Sequence, residues 1–288
     1  FVNAYEKNNY SNRSHLFLQR VLYYINRLNF FWFDDFENYI NEDSTALFSL
    51  SKQIEAEWAK WELNHVQIDS LECLPYEEAL NNRVNEDLNP LPTEETLFLR
   101  NEMIQSGYKR LLAITSLDGL VEASQLSRVL GGVGNEIQLM LAKIFWEEYG
   151  GGKLSHKHSS YFINMLKELD METVPEAYFD VVPWEVLANI NHSFLLSEKK
   201  KNYLRYVGGL LYIEVSAPSA FLNYQKAGER IGLTEAATGY WTTHIKEDIR
   251  HGEWMLNKVA VPLANKYPDQ AWQVILGYDQ QKFISNRA

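Results

Sequence analysis

The segment His244-Ile-Lys-Glu-Asp248-Ile-Arg-His251 places two imidazoles and a carboxylate at positions i, i+4 and i+7. A helix turning roughly 100° per residue brings these three onto one narrow stripe. The neighbours of that stripe are largely apolar or aromatic, Tyr240, Trp241 and Met255 among them, with Glu247 at its edge and Lys246 and Arg250 well off it. Polar groups on such a face are costly to bury unless something pairs with them. Two imidazoles and a carboxylate form a donor set suited to iron, zinc or manganese. The motif alone leaves the metal and the number of ions open.

Further ligands are sought among acids on apolar helix faces. Glu147 and Glu148 are adjacent and so point about 100° apart. Glu148 shares its stripe with Ile137, Leu141, Ile144 and Phe145 and is read as inward. Glu147 shares its own with Glu136, Met140 and Lys143 and is read as solvated. Glu214 lines up with Val207, Leu210, Leu211 and Phe221. Glu122 lines up with Thr115, Leu126 and Val129, but also with Asp118. Inward carboxylates with no local basic partner suggest a bound cation or a salt bridge to a remote base. After the break at Gly150-Gly151-Gly152, His158 opens a new amphipathic stretch, whereas His15, His156 and His192 are read as exposed. Glu62-Leu-Asn-His65 is the one Glu-x-x-His motif. A ferritin-like site needs two such motifs, so Glu62 and His65 are read as surface residues.

These residues require helices to position them, and the chain reads as all-α. Apolar helical periodicity covers 12–40, about 44–63, a long stretch from Thr93 through Glu122 to about Leu130, then 135–149, 158–169, 184–196, 199–228, 234–264 and 269–284. Pro92-Thr93-Glu94-Glu95 and Asn135 are helix-start signals. Pro218 is expected to bend or break its helix. Residues 66–95 collect Pro75, Pro90, Pro92 and several Asn, and are read as a connector. Two regions follow, 1–92 as an N-terminal helical region with its connector and 93–288 as the domain carrying the ligands.

With 288 residues, 46% of them hydrophobic and 14% aromatic, the chain has ample material for a core. A net charge of −11 leaves no general basic surface for nucleic acid. The short run Lys199-Lys200-Lys201 reads as a solvated loop or helix end. No apolar run approaches the roughly 18 residues of a membrane span. The single Cys73 rules out an internal disulfide and fits a reducing, cytoplasmic setting. The chain opens on Phe1 rather than Met, which leaves open whether a native start precedes it. Gly131-Gly132-Val133-Gly134 lacks the preceding strand of a dinucleotide fold.

Glu148-Tyr-Gly-Gly-Gly, His158-Ser, the isolated core Glu214 and His244-x-x-x-Asp248-x-x-His251 agree in order and spacing with the haem-oxygenase-like diiron oxidases, the iron-containing redox enzymes. The chain resembles this family over about residues 108–265. The resemblance implies a helical bundle that binds two irons without haem, here with an added N-terminal helical subdomain. It implies Glu148, His158, Glu214, His244, Asp248 and His251 as six ligands. Glu122 stands where members that oxygenate nitrogen carry a further carboxylate, and is expected both to ligate and to act in catalysis.

The resemblance therefore implies an enzyme that uses O2 as co-substrate to oxidise the nitrogen of a small amine or amino-acid-derived molecule. Oxidative C–C cleavage or desaturation by the same core is the alternative. A non-catalytic helical interaction protein is a further reading, against which the full ligand set argues. Tyr240, Trp241 and Trp254 are expected to line the pocket. Arg205, Arg230 and Arg250 are candidates to hold a substrate carboxylate. An external electron donor and a homodimer through the N-terminal helices are compatible with this reading.

Overall fold

The computed structural model describes residues 2–5, 11–30, 37, 39–66, 75–132 and 134–288. Among these no strand occurs. The helices are α1 (Val2–Tyr5), α2 (Asn12–Arg27), α3 (Thr45–Leu63), α4 (Tyr76–Leu88), α5 (Glu94–Asn101), α6 (Gln105–Gly119), α7 (Glu136–Glu148), α8 (His158–Glu168), α9 (Trp184–Ser197), α10 (Tyr203–Arg230), α11 (Glu235–Trp254), α12 (Val261–Lys266) and α13 (Trp272–Ser285). Side chains of Ser11, Ser44, Thr93, Asn135 and Thr234 cap their helices by accepting a backbone N–H in the first turn. The expected all-α class is what the chain adopts. Cys73, Phe31 and Phe33 lie outside the described residues.

The bundle is organised around α10, which packs against α13 and α11 most extensively and also against α4, α5 and α9. Its closest crossing is with α13 and depends on two glycines. A Cβ on Gly208 would fall 1.9 Å from the Val274 carbonyl oxygen, and one on Gly277 would fall 1.9 Å from that of Arg205. Two apolar clusters share the length of α11. Phe162, Tyr240 and Trp241 belong to one, and Leu141, Ile144, Val215 and Met255 to the other. The ligand-type residues of α11 fall between them. Around the far side of the bundle, α2 runs along α9.

Several expectations about the elements are corrected. The connector contains α4, with Leu80 and Val84 buried. An Arg83–Asp279 pair, with Nε–Oδ1 at 2.7 Å and Nη2–Oδ2 at 2.8 Å, ties it to α13. Tertiary contact there overrides the turn-prone composition. The stretch expected to be helical through Glu122 stops at Gly119. A turn with Ala123 in the left-handed region (φ 60°) follows, and then a 3-10 segment, Ser124–Val129. Helix α10 runs unbroken through Pro218. The lost N–H would have served the carbonyl of Glu214, and packing against α11 and α13 keeps the helix whole. The 234–264 stretch is divided by a π-helical segment, Met255–Ala260, that begins one turn after His251. The first stretch ends at Arg27, well short of residue 40.

The histidines read as exposed also need correcting. His15 and His192 are fully buried, while His156 is exposed. Glu62 is fully buried too, with its Oε2 3.1 Å from His192 Nδ1. His65 is the surface member of that motif and stacks on Phe283.

Candidate metal centre

Local sequence explains how the chain delivers each group. Glu148 is the last residue of α7, and the chain then turns through Gly150 at φ +65°. A Cβ there would lie 2.4 Å from the backbone of His156 and Lys157, so only glycine fits. The turn brings His158, first residue of α8, back against Glu148, with Nδ1 2.7 Å from Oε2. Glu214 comes from the middle of α10, next to Val215 of the core. Tyr240, Trp241, His244, Asp248 and His251 form the buried stripe of α11. Glu122 reaches the group from the turn after α6, not from a helix.

Glu122, Glu148, His158 and His244 each place a ligand atom within 4.8 Å of one another, and Glu148, Asp248 and His251 do likewise. The two groups share Glu148. Glu214 joins the second, with Oε2 3.4 Å from His251 Nδ1, and Glu148 Oε1 is also 3.4 Å from that atom. All seven residues named from the sequence are thus brought to one place.

Each histidine has one ring nitrogen pinned outward and the other aimed inward. His244 Nδ1 is 2.9 Å from the Tyr240 carbonyl oxygen, and its Nε2 is 2.9 Å from Glu122 Oε1. His158 Nε2 is 3.1 Å from Glu247 Oε2, and its Nδ1 faces Glu148 and His244 Nε2. His251 Nε2 is 2.9 Å from Glu147 Oε2, and its Nδ1 faces Glu148, Glu214 and Asp248. An outer acceptor fixes the tautomer and frees the inner lone pair, as around protein-bound metals.

The donor set fits a metal by an independent criterion. Glu122 Oε2 and Asp248 Oδ1 are buried without a hydrogen-bond partner. Orphaned atoms of this kind are expensive unless a cation satisfies them. Glu147, Glu247 and His251 also come within 4.8 Å of one another. Both of those acids are half-buried and already engaged on outer nitrogens, which suits them to support rather than ligation.

The metal-free electrostatics show how acidic the centre is. Burial alone would raise the Glu148 carboxyl, yet hydrogen bonds from His158 and His251 hold it well below the usual range. Burial dominates at Glu214 and Asp248 and pushes both up. Burial would lower the three imidazoles, but their carboxylate partners outweigh it. His158 rises to about 9, His251 to about 11, and His244 well above its ordinary value. Four inner carboxylates surround three imidazoles, an arrangement two divalent ions would neutralise.

A cavity of about 180 Å³ opens on the cluster, touching Glu122, Glu148, Glu214, His244 and Asp248. Its walls include Ile190, Leu210, Ile213, Phe221 and Tyr240, with Asn189, Ser193 and Gln281 as neutral polar groups. Trp241 and Trp254 do not line it. Trp254 instead packs between Lys143 and Arg250. None of the expected carboxylate-holding arginines reaches the cavity. Arg205 donates to Gln280, Arg230 to the carbonyls of Arg100 and Met103, and Arg250 pairs with Glu147 at 2.6 Å.

Sequence reasoning missed Glu147 as a partner of the centre, since its stripe reads as solvated. It noted Glu247 only as marginal. Both partners lie far away in the chain, so no local spacing signals them.

A family model described as iron-containing redox enzyme matches residues 109–280. A 152-residue stretch is 28% identical to the nitrosourea synthase of Streptomyces achromogenes subsp. streptozoticus, covering 53% of this chain and 32% of that protein. The match thus spans about a third of the length of that curated relative.

Proposed function

Because the chain belongs to the iron-containing redox enzyme family, we propose that this oxidoreductase is a non-haem diiron oxygenase acting on the nitrogen of a small amine or amino-acid-derived substrate. The observation that carries the reading is the pair of ligand groups sharing Glu148. Glu122, His158 and His244 would hold one iron, Glu214, Asp248 and His251 the other, and Glu148 would serve both. Bound iron supplies the electrons and the open positions at which dioxygen is activated.

The chain's own residues supply the rest. Glu147, Glu247 and the Tyr240 carbonyl hold the imidazoles in register. Glu122 accepts a hydrogen bond from the Tyr240 hydroxyl at 2.7 Å, which fixes its carboxylate at the rim of the cavity. Apolar walls limit water around the reacting nitrogen. Two features favour nitrogen over carbon chemistry: the additional carboxylate at 122, and a cavity whose walls bear acids but no lysine or arginine. That the relative is a nitrosourea synthase agrees with this reading.

The experiment is anaerobic Fe(II) loading with metal counting, followed by exposure to isotopically labelled dioxygen and a panel of amines, amino acids and fatty acids. Close to two irons per chain and labelled oxygen on the nitrogen of an amine are expected. Labelled or desaturated products from carbon-only substrates would move the assignment to C–C cleavage or desaturation. Failure to bind iron would sink the reading altogether.

A further inference from the structure

We propose that Asp118 anchors a positively charged nitrogen of the substrate, so that the cavity selects cationic amines over neutral or anionic molecules of the same shape. The inference rests on the diiron reading of the same site and adds the charge of what it takes.

Asp118 is in the last turn of α6 and lines the cavity together with Glu122. Its side chain is exposed and borders the cavity. No ion pair or side-chain hydrogen bond engages its carboxylate among the described residues. It belongs to neither ligand group. The four inner carboxylates would be balanced by two divalent ions, whereas Asp118 would stay uncompensated in the loaded enzyme. An unpaired carboxylate bordering a cavity with apolar walls attracts a cation that enters it.

Among the described residues, no lysine or arginine supplies that cation. The cavity walls contain neither. Lys157 is turned to Ser159 Oγ at 2.7 Å and lies over the Tyr149 ring. Arg27 lines an adjoining smaller cavity that shares Gln125 and Ile190 with this one, and Glu176 holds it at 2.5 Å. The amide and hydroxyl groups of the wall, Gln125, Asn189, Ser193 and Gln281 among them, are neutral. Asn189 Oδ1 already accepts from Gln281 Nε2 at 2.6 Å. The arrangement leaves one charged group to recognise a ligand, and its sign selects a cation.

The test is calorimetric binding of n-butylammonium, butan-1-ol and butanoate to the anaerobic Fe(II)-loaded protein, with iron counted on the same samples. Wild-type protein is expected to bind the ammonium roughly tenfold or more tighter than the alcohol, as a charge-assisted hydrogen bond provides. Butanoate is expected to bind weakest. Asp118→Asn should abolish the preference for the ammonium while leaving alcohol binding and iron content unchanged. Butanoate binding as tightly as the ammonium, no ammonium binding, or an Asp118→Asn variant that keeps the preference would each overturn the proposal. The wild-type comparison stands by itself if the variant does not fold. The iron count reports separately on the diiron reading.

Discussion

Glu147 and Glu148, adjacent in sequence, take opposite nitrogens of one imidazole: Glu148 Oε1 lies 3.4 Å from His251 Nδ1, and Glu147 Oε2 lies 2.9 Å from Nε2. The same division recurs on α11. Asp248 faces the cluster, and its neighbour Glu247 reaches outward to His158 Nε2. Consecutive acids on a helix point about 100° apart, so one can serve a centre and the other support a histidine of that centre.

This relationship makes the two glutamates separable. Glu148→Ala removes the carboxylate common to both ligand groups and is expected to lose most bound iron. Glu147→Gln keeps the ring in place but weakens the outer hydrogen bond. Changes to such outer carboxylates typically weaken metal binding by about 10- to 100-fold. Iron retention against a graded chelator would measure both. A Glu147→Gln protein that holds iron as tightly as wild type would show that this outer contact contributes nothing.

The metal-free protein should lose stability as the medium turns alkaline. Burial lowers the His158 pKa, but hydrogen bonds to Glu148 and Glu247 and the charge of Glu148 outweigh it and hold the value at about 9. A histidine in the unfolded chain titrates near 6.5. The stabilisation is therefore fully present below about 6.5 and is lost as pH rises through about 9. Thermal midpoints of the apoprotein should fall across that window. The iron-loaded protein, in which metal displaces that proton, should fall less. Equal slopes in the two forms would count against His158 as a ligand.

The crossing of α10 and α13 allows no side chain at Gly208 or Gly277. Either Gly→Ala change forces backbone apart, and overpacking of this sort costs about 1–3 kcal/mol or more. Because α10 carries Glu214, the two helices cannot part without disturbing the centre. Chemical denaturation should show the loss, with reduced iron retention. Gly132→Ala is the contrast. A Cβ there meets nothing within 4 Å, so only its positive φ of 107° opposes the change.

What could be read from the sequence was what is local in it. The stripe of His244, Asp248 and His251 needs only the period of one helix, and the inward face of Glu148 only its own heptad. Glu122 faces the site as expected but from a different element, because the helix stops at Gly119 and the chain then turns through the left-handed Ala123. Glu62 was misread for a related reason. A Glu-x-x-His search tests only partners three residues apart, whereas its partner His192 lies 130 residues on. The role of Glu147 was hidden in the same way, since His251 is 104 residues away. Long-range pairing of buried polar groups leaves no periodic trace.

Glu122 gives the sharpest test of nitrogen chemistry. Its Oε1 lies 2.9 Å from His244 Nε2 and accepts from the Tyr240 hydroxyl, while Oε2 is buried without a partner. It also borders the cavity beside Asp118. Glu122→Ala leaves Glu148, His158, His244, Glu214, Asp248 and His251 intact, so much of the iron should stay. It removes a negative charge next to one metal position and frees His244 to shift. Turnover to N-oxygenated product is therefore expected to fall at least about tenfold, a change of about 1.4 kcal/mol in barrier. Tyr240→Phe, which removes only the hydrogen bond to Glu122, should lie between wild type and Glu122→Ala. Metal counting with product mass spectrometry would decide. If Glu122→Ala keeps iron and turns over amines at the wild-type rate, the carboxylate has no part in the reaction, and carbon oxidation becomes the better reading of this site.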